Sequence, residues 1–175
     1  MTTVLERAMP VYHFHEVHHR HIAAPAPQVW TALTTVRFDQ LTLARPLVAL
    51  RHLGRTPPVR ALFDEGPVTM LETTPPTYAI GGTIARPWQP RPPRHEVTTL
   101  RDFLDFDEPG WTKYLTDFHL RSDGDAVILS TETRGYSTDD HARRRFAAYW
   151  ALIRPASGLI RRDILATVAR TTPGR

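Results

Sequence analysis

Apolar positions in this chain follow two rhythms, one of period two and one of helical period, and their order predicts the elements. Near the N-terminus a strand is predicted to end at Ile22. Pro25 then opens a helix, because its fixed φ and missing N–H suit a first helical turn. Val29, Trp30, Leu33 and Val36 give that helix an apolar face. A second helical stretch is predicted from Pro46 to Leu53, with Leu47, Leu50 and Leu53 in phase and Gly54 as its terminator, before RTPP breaks the chain. From Val59 to Tyr136 the pattern is mainly strand and turn. VTMLETT and YAIGGTIAR are separated by PPT, and the proline-rich PWQPRPP that follows reads as a surface loop.

The segment WTKYLTDFHLRSDGDAVILSTETRGY predicts a hairpin with a two-residue turn at Asp123-Gly124. That turn pairs Tyr114, Thr116, Phe118 and Leu120 with Thr133, Thr131, Leu129 and Val127 on an apolar face bearing a few hydroxyls. The opposite face carries Lys113, Leu115, Asp117 and His119 against Arg134, Glu132, Ser130 and Ile128, a mixture that predicts solvent. After the hairpin, STDD supplies N-cap candidates for a long helix. Phe146, Trp150, Ile153, Ser157, Ile160, Ile164 and Val168 keep one helical phase straight through Pro155, which predicts a kinked helix rather than two helices. Such a stripe requires a sheet to lie against.

At 175 residues the chain is long enough for one domain with a sizeable core. The absence of cysteine excludes disulfides, thiolate catalysis and thiolate metal ligation. No apolar run approaches a membrane span, and MTTVLERAMP lacks the basic-then-apolar layout of a signal peptide, so a cytoplasmic location is expected. The formal charge is +4, but from Thr138 onward there are eight Arg and three Asp, so the positive excess belongs to the C-terminal segment. An Arg-rich helix can meet phosphates, yet solvated helix flanks have the same composition, and nucleic-acid binding ranks below other readings.

The stretches HIAAPAPQVWTAL, FDEPGWTKYLTDF and LSTETRGYSTDDHARRRFAAYWALIRPASGLIRRDIL, in that order, resemble the START/SRPBCC superfamily, also described as polyketide cyclase/dehydrase and lipid-transport-like, and within it a bacterial branch. The resemblance spans nearly the whole chain. It implies an α+β helix-grip fold: a curved antiparallel sheet of six or seven strands around a long C-terminal helix, with two short helices after the first strand. It further implies a cavity for a small apolar or aromatic molecule, lipid- or polyketide-like, held by a carrier or sensor. A cyclase or aromatase is the alternative, with His18, Glu132 or Arg134 as polar participants, and a basic nucleic-acid-binding domain is the third reading. Leu53 to Glu65 departs from the superfamily pattern, which leaves the cavity entrance unplaced.

On this basis the ligand-lining residues are expected to be His18, Tyr114, Thr116, Phe118, Leu129, Thr131, Phe146, Trp150 and Ile153, with no catalytic residue, metal or cofactor assigned. The chemistry most visible in the sequence is HFHEVHHRH, residues 13 to 21, which holds five of the nine histidines. On a strand His13, His15, His19 and His21 share one face, with neighbours about 7 Å apart. A zinc or iron site normally needs a third ligand, and Glu16 points to the other face. The four are therefore expected to form an exposed strand face without metal, whose protonation near the imidazole pKa of about 6.5 adds mutual repulsion. His18 shares the opposite face with Phe14 and Ile22 and is the histidine expected to look inward. Glu132 and Arg134 are expected on the mixed face, Glu132 pairing with Lys113. Asp102, Asp105, Asp107 and Glu108 lack calcium-loop spacing and read as a solvated loop. No P-loop, dinucleotide fingerprint or nucleophile elbow is present.

Overall fold

The computed structural model describes residues 3–43, 61–65 and 68–173. The helix predicted from Pro46 to Leu53, its Gly54 terminator and the RTPP break lie outside the described residues. In chain order the elements are α1 (Val4–Ala8), β1 (Phe14–Ile22), α2 (Ala26–Thr35), a 3-10 turn (Phe38–Gln40), α3 (Leu62–Glu65), β2 (Thr69–Thr74) and β3 (Tyr78–Ala85), followed by β4 (Arg94–His95), α4 (Leu100–Asp105), β5 (Thr112–Asp123), β6 (Ala126–Ser137) and α5 (Asp140–Thr171). The strands form one antiparallel sheet in the order β1-β6-β5-β3-β2, with β4 paired to the end of β3. The curved sheet and the long C-terminal helix make an α+β helix-grip fold.

Helix α5 begins where the acidic run predicts: the Asp139 side chain accepts from the Ala142 N–H at 2.7 Å, a standard N-cap. It continues unbroken through Pro155, whose missing N–H removes one main-chain hydrogen bond. Its apolar stripe keeps it on the sheet. Ile164, Leu165 and Val168 bury against Leu129, Val127 and Leu120 of the sheet and against Val29 and Leu33 of α2. Asp163, fully buried beside them, accepts from Leu43 N–H at 2.7 Å and from Thr42 Oγ1 at 3.2 Å, tying the segment after the 3-10 turn to the helix.

The hairpin register differs from the predicted one. Phe118 pairs with Thr131 rather than Leu129, and Asp123 pairs with Ala126, so the turn is Gly124-Asp125. Gly124 stands at the first central position with φ +61°, the left-handed geometry that both primed turns need there. The slip is by two residues, so every side chain keeps its predicted face.

The outer face of the hairpin, expected to meet solvent, is largely buried. Leu115 is fully buried, and Asp117, Lys113 and Arg134 are all less than 10% exposed. This face carries its own core, where Leu5 and Met9 from the N-terminal segment and Phe103 and Phe106 from around α4 pack on Ile80, Ile84 and Leu115. The acidic stretch read as a loop contains α4, capped by Thr99 and facing the sheet through Phe103. Lys113 reaches α4 and not Glu132: its Nζ donates to the carbonyls of Leu104 at 2.9 Å and Phe106 at 2.6 Å. A cation is favourable at a helix C-terminus. Burial lowers the Lys113 pKa, and Asp107 and Asp105 act in the opposite direction.

Candidate functional site

The inner face of the sheet, beneath α5, reads as three cross-strand rows. Phe14, Gly135 and Tyr114 form the first, Glu16, Thr133 and Thr116 the second, and His18, Thr131 and Phe118 the third. Aromatic rings close one end. Phe146 of α5 lies 4.5 Å from Phe14, 6.4 Å from Tyr114 and 6.0 Å from Trp150, centroid to centroid. Phe118 and Leu129 belong to the closed apolar core at the other end, where Phe63 covers Phe118 at 5.7 Å.

Between these ends lies a polar node. Glu16 is buried, and its Oε1 is 2.8 Å from His18 Nε2. Its Oε2 accepts from Ser157 Oγ at 3.3 Å and faces Arg161 Nε at 3.8 Å. Ser157 and Arg161 are one helical turn apart and present both groups to the same carboxylate. Burial lowers the Arg161 pKa, while Glu16 and then Tyr114 act to raise it. In the row of Glu16, Thr116 and Thr133 bond to each other at 2.7 Å, and in the row of His18 the fully buried Thr131 hydroxyl has no hydrogen-bond partner. An orphaned hydroxyl in a packed interior costs about 1–3 kcal/mol unless something else satisfies it.

The node opens to one side of the fold. β1 is an edge strand, and a groove of about 600 Å³ runs between residues 15–18 of β1 and Arg154, Pro155, Gly158 and Arg162 of α5. Gly158 lets the helix come this close: a β-carbon there would lie 2.7 Å from Glu16 Oε1.

The expected lining residues are thus divided by the structure. His18 belongs to the node and Thr116 and Thr131 to its rows, Tyr114 and Phe146 form the aromatic end with Trp150 stacked on Phe146, Ile153 is partly buried on α5, and Phe118 and Leu129 are committed to the closed core. Sequence reasoning passed over Glu16, Ser157, Arg161 and Gly158. A signal was present, since Glu16 shares its strand phase with Phe14 and Ile22, and Ser157 interrupts an otherwise apolar helical stripe.

His13, His15, His19 and His21 are exposed, and His18 turns inward as its phase requires. Two of the four exposed imidazoles have carboxylate partners, His15 with Glu132 at 2.9 Å and His21 with Asp123 at 3.5 Å, which offsets the repulsion expected from composition. Among the described residues, no three His, Asp or Glu side chains converge as a metal site. Glu132 and Arg134 lie on the outer face, paired with each other at 2.7 Å and separated from the node by the sheet. No described helix is long and apolar enough to cross a membrane.

No family model and no curated protein matches the chain. Among solved structures it is similar to CalU16 of Micromonospora echinospora, at 13% identity and TM-score 0.36, with 90% of this chain and 85% of the other covered. A protein of Chromobacterium violaceum is similar at 14% identity and TM-score 0.44, covering 92% and 99%. Norcoclaurine synthase of Thalictrum flavum, solved with dopamine and hydroxybenzaldehyde, is similar at 11% identity and TM-score 0.34, covering 92% and 89%. These likenesses are too distant to carry a ligand or a reaction across.

Proposed function

We propose that this chain is an SRPBCC-type carrier or sensor domain that holds a small apolar or aromatic molecule between the sheet and α5, with a polar group of that molecule at the Glu16–His18–Arg161 node. The observation that supports this reading most directly is the node itself. Buried hydrogen-bonding groups, one of them the unpartnered Thr131 hydroxyl, interrupt an apolar concave face and adjoin an open groove. A few convergent polar groups in an otherwise apolar hollow are what orient a small ligand. Phe146, Tyr114 and Trp150 offer an aromatic wall at the same end.

Native mass spectrometry of freshly purified protein tests the reading, with a retained small molecule as the expected result. Trp150→Ala should weaken retention without unfolding the chain, since Trp150 is only partly buried. Absence of any bound molecule, together with no binding of apolar probes, sinks the proposal.

The carboxylate-oriented imidazole supports a second reading, a cyclase-type enzyme in which His18 removes or returns a proton. Glu132 and Arg134 have no part in it, because they sit on the other face of the sheet. Turnover abolished in His18→Gln with binding retained would favour the enzyme. Binding by both forms with no product from either would favour the carrier.

A further inference from the structure

The groove between β1 and α5 has an unbalanced charge. Of the ionised side chains on its walls, Glu16 is already engaged by His18, Ser157 and Arg161. Arg154 and Arg162 have no ion-pair or hydrogen-bond partner among the described residues. Elsewhere on the same helix, Arg143 pairs with Asp140 at 3.0 Å and Arg170 bonds to Thr167 at 2.8 Å, while Arg144 and Arg145 are exposed and do not line this groove. The groove therefore holds two uncompensated guanidinium groups beside a carboxylate that is fully occupied by others.

Their placement is specific. Arg154 and Arg162 each stand one helical turn from Gly158, on either side of it, about 12 Å apart along the axis. Between them Gly158 is packed against Glu16, which lies 2.7 Å from where a β-carbon would stand, and Pro155 adds only a ring. Two long cationic side chains thus stand at either end of the α5 wall of the groove, with the β1 edge as the opposite wall. Guanidinium groups bind carboxylates and other oxyanions through paired N–H donors, and they do so best where protein walls limit competing water. Trp150, one turn before Arg154, and Phe14, next to His15, both contact Phe146 and so put an aromatic cluster one residue or one helical turn from the groove's lining.

We infer that the groove selects an organic anion, a molecule with an apolar or aromatic body and a carboxylate or similar oxyanion held by Arg154 and Arg162. This inference rests on the small-molecule reading above and names the chemical class of its ligand. It also accounts for part of the C-terminal positive charge without nucleic acid.

The test uses the full chain and matched probes: dodecanoate against dodecanol, and naphthalene-2-carboxylate against naphthalene-2-methanol, each titrated calorimetrically at low salt. The acids should bind roughly tenfold more tightly than their alcohols, as expected for charge-assisted hydrogen bonds. The double variant Arg154→Gln/Arg162→Gln should lose that preference while keeping alcohol affinity and melting temperature, since both residues are exposed. Arg144→Gln/Arg145→Gln makes the same charge change at exposed positions away from the groove and should keep the preference. Equal binding of acid and alcohol by the wild type overturns the inference and leaves the small-molecule reading standing. So does a preference that survives in the first variant, or one lost equally in both. Failure of all four probes removes both.

Discussion

Glu16 of β1 and Gly158 of α5 are packed so closely that a methyl group on residue 158 would lie 2.7 Å from Glu16 Oε1. The contact explains a glycine inside a long helix, where glycine costs about 1 kcal/mol relative to alanine. Gly158→Ala restores that propensity but drives Glu16 off its His18 and Ser157 partners. The expected net result is a loss of about 1–2 kcal/mol by denaturant unfolding. In a Glu16→Ala background the same substitution should instead stabilise by about 1 kcal/mol. Additivity of the two substitutions would show that the close approach carries no energy.

Asp117 is buried on the outer face with its pKa pushed up to about 7, first by burial and further by Glu132 and Glu6, while the Glu132 N–H and Arg134 act against the rise. The ordinary value is 3.8. Between these values the folded chain holds a proton that the unfolded chain has released, so this group's contribution to stability falls as pH rises through that window and levels off above it. Asp117→Asn keeps an acceptor for the Glu132 N–H and cannot ionise. Relative to wild type it should gain steadily from about pH 4 and plateau near pH 8 at on the order of 2–4 kcal/mol. Parallel pH profiles for the two proteins would refute this.

Arg134 fastens the N-terminal segment to the sheet. Its Nη1 donates to the Met9 carbonyl at 3.0 Å, its Nε to Glu132 at 2.7 Å, and Tyr12 stacks on the guanidinium at 4.7 Å. Arg134→Met should cost about 2 kcal/mol and, in hydrogen exchange, remove protection from α1 while β5 and β6 stay protected. Uniform loss of protection across the sheet would mean that Arg134 supports the whole domain and not this segment.

Gly124 has φ +61°, and nothing lies within 4 Å of a β-carbon added there. Gly124→Ala therefore meets backbone strain without a clash, and the expected cost is about 1 kcal/mol. Gly124→Asn, whose side chain tolerates the left-handed region, should cost less than half as much. Equal melting temperatures for both variants and wild type would place the turn elsewhere.

Period-two alternation alone assigned Tyr114, Thr116, Phe118 and Leu120 to one face, and the helical phase from Phe146 to Val168 determined that α5 runs on through Pro155. Both hold because side-chain direction follows from local backbone geometry. The register did not follow from it: pairings two residues apart place every side chain on the same face, and only the turn at Gly124-Asp125 separates them. The outer face reads as solvated because Lys113, Asp117 and Arg134 are charged, and its burial comes from α1 and α4, which contact it only after folding. For the same reason Glu16 and Ser157, 141 positions apart, carried no joint signal. A polar residue in an apolar phase marks itself in the sequence, but its partner is chosen by packing between elements, which local periodicity does not encode.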